Sequence, residues 1–354
     1  MLIKNKIKRL LRIYLMVINT AQHSSTYALT VDSLKLSGKI SVKTYNNDGK
    51  SYVNEDLSTG GIVGGVQGQC KFSGITLNDL EVSGAYTVGG LIGKSTNNIN
   101  ISGVKSENSG IYVYGGFETG GLVGNSQKGS EFNVKDSKIT INKVEFANLD
   151  KGTGTWFGVG GIAGSANIKT TISNVQLTPY NTDSFIGSKK DNKPLATLTM
   201  NEGGLIGLSN EVCTIENTSV SVDVYGSNAG GFVGINKKQL SVNENCYYGG
   251  TSDTSACGVY GYASSGGMVG TQNAAVTVSK SAVKNATIGI PAAKNGDAGI
   301  GGYVGIKANG DLKITDCEVN NVTLSAEDKS NGAGAGGVIG HNDRGSTYAY
   351  NILI

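Results

Sequence analysis

Apolar and polar positions along this chain recur in blocks. Each block opens on Gly-Gly, two mostly apolar residues and Gly, and copies begin at Gly60, Gly89, Gly120, Gly160, Gly203, Gly230, Gly266, Gly301 and Gly336. With the first Gly as position zero, an apolar residue returns at plus 12: Phe72, Ile101, Phe132, Ile172, Ile215, Val242 and Val278, slipping by one to Ile314. Another often stands two residues earlier, as in Cys70, Ile99, Cys213, Leu240 and Val276. Polar residues flank both, which is the period-two pattern of a strand with one buried face. After a polar break a further run follows, as in Ile75-Thr76-Leu77, Val175-Gln176-Leu177 and Val220-Ser221-Val222. The pattern predicts three short strands per block: the pentapeptide, a strand near plus 10 to plus 14, and one near plus 17 to plus 22.

Successive copies lie 29, 31, 40, 43, 27, 36, 35 and 35 residues apart. That is one supersecondary unit each, the mark of a repeat architecture. The expected fold is therefore all-β: a parallel β-helix, or β-solenoid, right-handed by the rule for parallel crossovers, with about nine to ten coils of three short strands stacked at ~4.8 Å. Since plus 12 is nearly fixed, the variation in length belongs between the third strand and the next Gly pair. Two adjacent glycines permit positive φ or a sharp corner, and let neighbouring coils approach closely. The second inner residue is always β-branched or Ala, from Val63 and Ile92 to Val304 and Ile339, and is expected to point into the stack. The first admits Phe232, Met268 and Tyr303, and is expected to meet a roomier, partly solvated face.

Composition fits an ordered repeat. Gly is 54 of 354 residues, Pro only 3, and charged residues 16%, which argues against collagen and against disorder. A net charge of +3 with Lys and Arg dispersed leaves no nucleic-acid footprint. Residues 1–29 stand apart as a basic and apolar segment: Lys4, Lys6, Lys8, Arg9 and Arg12 precede an apolar run, Ile13–Ile18, too short to span a bilayer. They read either as a secretory signal or as a truncated start. Residues 30–354 form the expected solenoid. The tail after Gly340 begins an alternating strand at Tyr348, Tyr350 and Ile352, as if the solenoid were open at that end and continued in further repeats or domains of a longer chain.

Chemistry-bearing motifs are sparse. The odd count of five cysteines, Cys70, Cys213, Cys246, Cys257 and Cys317, contains no CxxC and falls on repeat positions held elsewhere by apolar or small residues, so they are expected as buried hydrophobes. Only His23 and His341 are present, so neither zinc chemistry nor a His-based triad has material. The glycine-rich stretches lack the spacing and the following helix of a nucleotide loop. No catalytic residue, cofactor site or metal site is assigned. Asp79, Glu81, Asp136 and Asp223 share no coil address, which leaves carboxylate chemistry on a polysaccharide as the alternative rather than the leading reading. The sequons at Asn100, Asn217, Asn285 and Asn321 are explained by polar corners and ladders. Candidate ligand contacts are the aromatics of the variable corner, Trp156, Tyr247, Tyr248, Tyr260 and Tyr262, which suit a host glycan or an extracellular-matrix protein or else fold back over the edge of the stack.

The pentapeptides, seen best in Gly90-Leu91-Ile92-Gly93, Gly121-Leu122-Val123-Gly124 and Gly204-Leu205-Ile206-Gly207, resemble the GLUG-motif repeats of large bacterial surface and secreted proteins, some immunoglobulin A peptidases among them. The resemblance covers about residues 55–345. It implies an exported, surface-displayed, adhesin-like or stalk-like segment, found outside the cell. The peptidase relatives work through a separate zinc domain with an HExxH motif, which this sequence lacks, so peptidase activity is not carried over. An accessory region of a larger secreted peptidase remains a further alternative.

Overall fold

The computed structural model describes residues 28–42, 57–107, 109–146, 157–195, 200–250, 252, 256–291, 298–326 and 334–354. Among these every regular element is a strand. Nearly all pairing is parallel and joins each coil to the next one along the stack. A nine-stranded sheet collects the strands that end on the first Gly of each pair, from Ser58–Gly60 to Gly334–Gly336. Another nine-stranded sheet collects the strands that start on the second inner residue, from Val63–Val66 to Ile339–Asn342. The third and fourth strands of the coils share a 20-stranded sheet.

Each coil thus has four strand positions instead of three. The pentapeptide is a corner and not a strand: its first Gly closes one strand, the next two residues bend, and the fourth residue opens another. Backbone proximity explains the glycines. A Cβ on Gly120 would lie 1.9 Å from the carbonyl oxygen of Val123 in the same coil, one on Gly121 2.0 Å from that of Gly161 in the next coil, and one on Gly124 2.6 Å from that of Gly93 in the preceding coil. No pentapeptide glycine has positive φ, so close approach, rather than left-handed geometry, is what excludes a side chain.

In the seven copies between the first and the last both inner residues are buried, and in those two end copies both are half-buried. Leu91, Leu122, Leu205, Phe232, Met268 and Tyr303 are as inaccessible as Ile92, Val123, Ile206, Val233, Val269 and Val304, so the expected solvated face for the first residue is absent. The bend turns both side chains inward. The first reaches across the coil: the Tyr303 hydroxyl stands 2.9 Å from the Glu318 carbonyl and 3.0 Å from the Ser281 carbonyl, which share its one proton. That reach explains its variable size.

The plus-12 assignment fails in one coil. Val134 pairs with Ile101 and Ile172, while Phe132 pairs with Ile99 and Thr170, so Phe132 occupies the plus-10 address. The chain spends two extra residues in the preceding turn, where Lys128 and Gly129 have positive φ. Some length variation therefore precedes the third strand.

The corner between third and fourth strands stacks left-handed residues: Gly74, Gly103, Asp136, Asn174, Asn217, Lys280 and Asp316. Asn and Asp tolerate this geometry and bond to their neighbours above and below. Asn174 donates to Asp136 at 2.9 Å, Asn245 to Asn217 at 3.2 Å and Asn351 to Asp316 at 2.7 Å. A second left-handed position, inside the fourth strand, holds Asp79, Asn285 and Asn321, and Asn321 donates to Asn285 at 2.8 Å. Three of the four sequon asparagines are thus corner or bulge residues, and Asn100 accepts a ladder bond from Asn133.

All five cysteines are free and buried, and burial pushes the thiols of Cys70 and Cys246 up to about 11 and those of Cys213 and Cys257 to about 12. They pack as small apolar side chains.

Candidate functional site

Five residues were expected as surface contacts, and the structure separates them. Trp156 lies outside the described residues. Tyr248 is wholly buried: its ring packs where Gly231 leaves room, and its hydroxyl donates to the carbonyl of Val222 at 3.2 Å. It is a core residue of a fourth strand rather than part of a projecting loop. Tyr247, its neighbour in a strand, faces outward, lies 3.0 Å from the Ser221 hydroxyl and borders an open groove of about 720 Å³ shared with Asn245, Lys280, Lys284, Asn285 and Glu318. Its lysines are already paired, Lys280 with Glu244 at 3.4 Å and Lys284 with Glu318 at 2.6 Å. Tyr262 is half-buried in the turn before a Gly pair. At that corner Tyr86, Phe117 and Phe157 pack ring on ring at 4.5 to 6.3 Å, covering the edge of the stack.

Tyr260 alone belongs to a larger group. Strands Ile111–Gly115, Phe132–Phe146, Phe185–Gly187, Asp223–Tyr225 and Cys257–Tyr260 run side by side in the second half of the fourth-strand position. Val113, Val144, Ile186, Val224 and Val259 point into the core. By the alternation of a strand the residues between them face out, in two ladders. One runs Tyr112, Lys143, Phe185 and Asp223, and the other Tyr114, Glu145, Gly187, Tyr225 and Tyr260. Aromatics are only 7% of the chain, yet five converge on this face.

Its electrostatics are mixed. The Tyr112 hydroxyl donates to Glu145 at 3.2 Å, and Tyr225 donates to Asp223 at 3.3 Å, while the Gly258 amide donates to the other Asp223 oxygen at 2.8 Å. Burial raises the carboxyl pKa of both Glu145 and Asp223, opposed in each case by hydrogen bonds and by lysine charge nearby. A short antiparallel hairpin, Lys189–Lys190 with Lys193–Pro194, folds over the face. Its Lys189 ammonium stands 4.6 Å from the Phe185 ring centroid and 4.9 Å from that of Tyr225, a cation–π arrangement. Phe185 and Tyr225 are consequently buried, whereas Tyr112, Tyr114 and Tyr260 remain half-buried.

Sequence reasoning missed Tyr112, Tyr114, Phe185 and Tyr225. The signal was present as strict alternation in Ile111-Tyr112-Val113-Tyr114 and Asp223-Val224-Tyr225, where the apolar partner marks the inner face and leaves the aromatic outside. Among the described residues no three His, Cys, Asp or Glu side chains are grouped so as to hold a metal ion. Nor is any described helix long and apolar enough to cross a membrane.

No protein-family model and no curated protein matches this sequence. Among solved structures, a chain from Bacteroides ovatus described as a putative immunoglobulin A1 protease is similar at 13% identity and a TM-score of 0.41, over 84% of this chain and 79% of that one. The likeness is slight on both measures, and nothing about the chemistry of the present chain is taken from it.

Proposed function

We propose that this chain is a GLUG-type repeat segment of an exported bacterial protein, a right-handed parallel β-helix that acts by binding at the cell surface and carries no chemistry of its own. One observation carries the binding role: half-buried tyrosines, flanked by carboxylates and lysines, gather on the outer face of the fourth strands and on no core-forming position. Aromatic rings expose contact area at low entropic cost, and a neighbouring acid or ammonium fixes orientation. Export and surface display rest on the repeat resemblance.

A polysaccharide-cleaving enzyme is the competing reading, favoured by the raised pKa of Glu145 and Asp223 on one face. Their surroundings weigh against it. Two interstrand steps and a two-residue offset separate their backbones by about 12 Å. Phe185 occupies the interval. Both carboxylates are also engaged, Glu145 by Tyr112 and Asp223 by Tyr225 and the Gly258 amide.

The test uses the full chain immobilised on beads against host glycans and matrix proteins. Replacing Tyr112, Tyr114 and Tyr260 together by Ala is expected to weaken adhesion by about tenfold or more, and incubation with polysaccharides to release no new chain ends. Unchanged adhesion in the triple variant, or release of chain ends by the parent, would overturn the reading.

A further inference from the structure

One corner between the third and fourth strands is built differently from its neighbours. Asn217, Lys280 and Asp316 each supply a single left-handed residue there, but the coil between Asn217 and Lys280 supplies two in succession, Glu244 and Asn245. Pairing on either side is unaffected: Asn243 stands between Glu216 and Ser279, and Tyr247 between Ser219 and Ala282. With register held on both flanks the added residue projects, so this corner overhangs the one that follows it. The amide ladder breaks at the same place. Asn245 donates back to Asn217 at 3.2 Å and Asn351 to Asp316 at 2.7 Å, while Lys280, which stands between Asn245 and Asp316, turns its ammonium to Glu244 at 3.4 Å.

The fourth strand beyond this corner completes an opening. On its outer face Tyr247, Ala282 and Glu318 follow one another in register, a ring, a methyl and a carboxylate. The Tyr247 hydroxyl is tethered to that of Ser221, in the preceding coil, at 3.0 Å, which draws the ring away from the coil of Ala282. Ala282 is too short to refill the space. The result is the open groove of about 720 Å³, lined by these three residues and by Asn245, Lys284 and Asp316, within the roughly 300–1,000 Å³ of ligand sites. Its walls, the coils of Tyr247 and Glu318, are two interstrand steps apart, about 9.6 Å between backbones, and Ala282 forms the floor. Strand Ala282–Ile290 also carries Gly289, the partner of Tyr260. That address lies roughly 20 Å further along, so the groove is separate from the aromatic face.

We propose that this groove is a second binding site, for a neutral oligosaccharide, with the C–H face of one sugar ring on Tyr247 and its hydroxyls on Asn245, Asp316 and the Lys284–Glu318 pair. The lining selects this ligand. An aromatic ring suits the apolar face of a sugar, and the polar groups around it mix donors with acceptors, as a polyhydroxylated ring requires. Charges of both signs meet there, Lys284 lying 2.6 Å from Glu318, so a ligand of either net charge would have to break an ion pair that a neutral one leaves intact. An extended peptide finds no strand edge, because floor and walls are already paired through the stack, Tyr247–Gly249 with Ala282–Ile290 and that strand with Leu312–Ala326. The site lies outside the aromatic face on which the binding role above rests, and each can fail without the other.

Cellohexaose, chitohexaose and maltohexaose, titrated into the full chain by calorimetry, test it. Saturable binding of at least one is expected, weakened about tenfold or more by Tyr247→Ala, which removes the platform, and by Ala282→Tyr, whose ring would fill the groove against Tyr247 much as Tyr260 lies on Tyr225. The Ala282 address carries Tyr247 and Glu318 in the adjacent coils, so a large outward side chain is compatible with the fold, and an unchanged melting temperature establishes that this variant is folded. The combined replacement of Tyr112, Tyr114 and Tyr260 by Ala is expected to leave hexasaccharide affinity within about threefold of the parent. Binding of none of the three sugars, or undiminished affinity in Tyr247→Ala or Ala282→Tyr, overturns the groove; so does loss of affinity in the triple variant alone, which would put the sugar on the aromatic face. Adhesion to beads that the triple variant loses, in a chain that binds no hexasaccharide, overturns the groove and leaves the aromatic face standing. Hexasaccharide binding lost in Ala282→Tyr, with adhesion unchanged in the triple variant, supports the groove and overturns the face.

Discussion

At the Gly-Gly corner backbone touches backbone, and on the outer face of the fourth strands side chain touches side chain. The corner repeats with almost no variation, because in every copy before the last each of its glycines abuts a carbonyl in its own or an adjacent coil. The outer face has tyrosine, lysine, phenylalanine and aspartate at one equivalent address, because there, unlike at Gly187, where the Tyr225 carbonyl excludes a side chain, neighbouring side chains set the constraint. Contacts between backbones demand one residue type; contacts between outward side chains admit many. Constancy in this protein thus reports how coils join, and variation reports what each coil presents.

The largest effect expected to test that contrast comes from Gly203→Ala. Its Cβ would stand 2.0 Å from the Ile206 carbonyl and 2.8 Å from the Gly234 amide, neither of which belongs to a movable side chain. A loss of about 4 kcal/mol or more is expected in urea unfolding, and a loss below ~1 kcal/mol would show that the corner yields.

Glu202 lies where the two regions meet. It is buried in a first strand, packed against Gly187 and Gly226, and takes a hydrogen bond from the Ser227 amide at 3.0 Å. Burial raises its carboxyl pKa well above the ordinary 4.5. The folded state therefore holds a proton that the unfolded state releases, and stability is fullest below the unfolded pKa and falls as pH climbs from there toward the raised one. The slope contributed by this group is at most about 1.4 kcal/mol per pH unit. Glu202→Gln, which cannot ionise, is expected to flatten the acid-to-neutral part of the stability profile; a parent and variant with parallel profiles would mean that the carboxyl titrates normally.

Tyr114→Ala should have the smallest effect. Its outward ring is half-buried and stands 6.3 Å from that of Tyr112, so about 1 kcal/mol or less is expected in the same urea assay. A cost equal to that at the corner would erase the distinction between joining and presenting surfaces.

The repeat was legible because Gly is the one residue whose presence a backbone contact enforces, and the third strand because Ile99, Ile101, Cys213 and Ile215 keep strict alternation. The fourth strand was harder. Left-handed residues inside it, Asp79, Asn285 and Asn321, take up one position without advancing the alternation, so inner and outer faces exchange partway along. The pair Tyr247-Tyr248 shows the result: beside Gly249 and Gly250 it resembles loop sequence, yet one ring faces out and the other fills the core over Gly231. Sequence spacing also could not reveal that Phe185 meets Tyr225 edge-on and Tyr225 stacks on Tyr260, since the three rings come from different coils and their alignment depends on register across turns of unequal length.

The close contact of each Gly pair with the next has a consequence for how such a chain changes length. Unequal exchange between copies of its own coding repeat inserts or deletes a whole coil, and every new junction meets the same carbonyls as the old one. An inserted coil lengthens the stack by ~4.8 Å and leaves its neighbours' register intact. An insertion between the coils of Tyr225 and Tyr260 would part those two stacked rings, whereas one elsewhere would leave them together, so the reach of the molecule and its aromatic face can be inherited and altered separately.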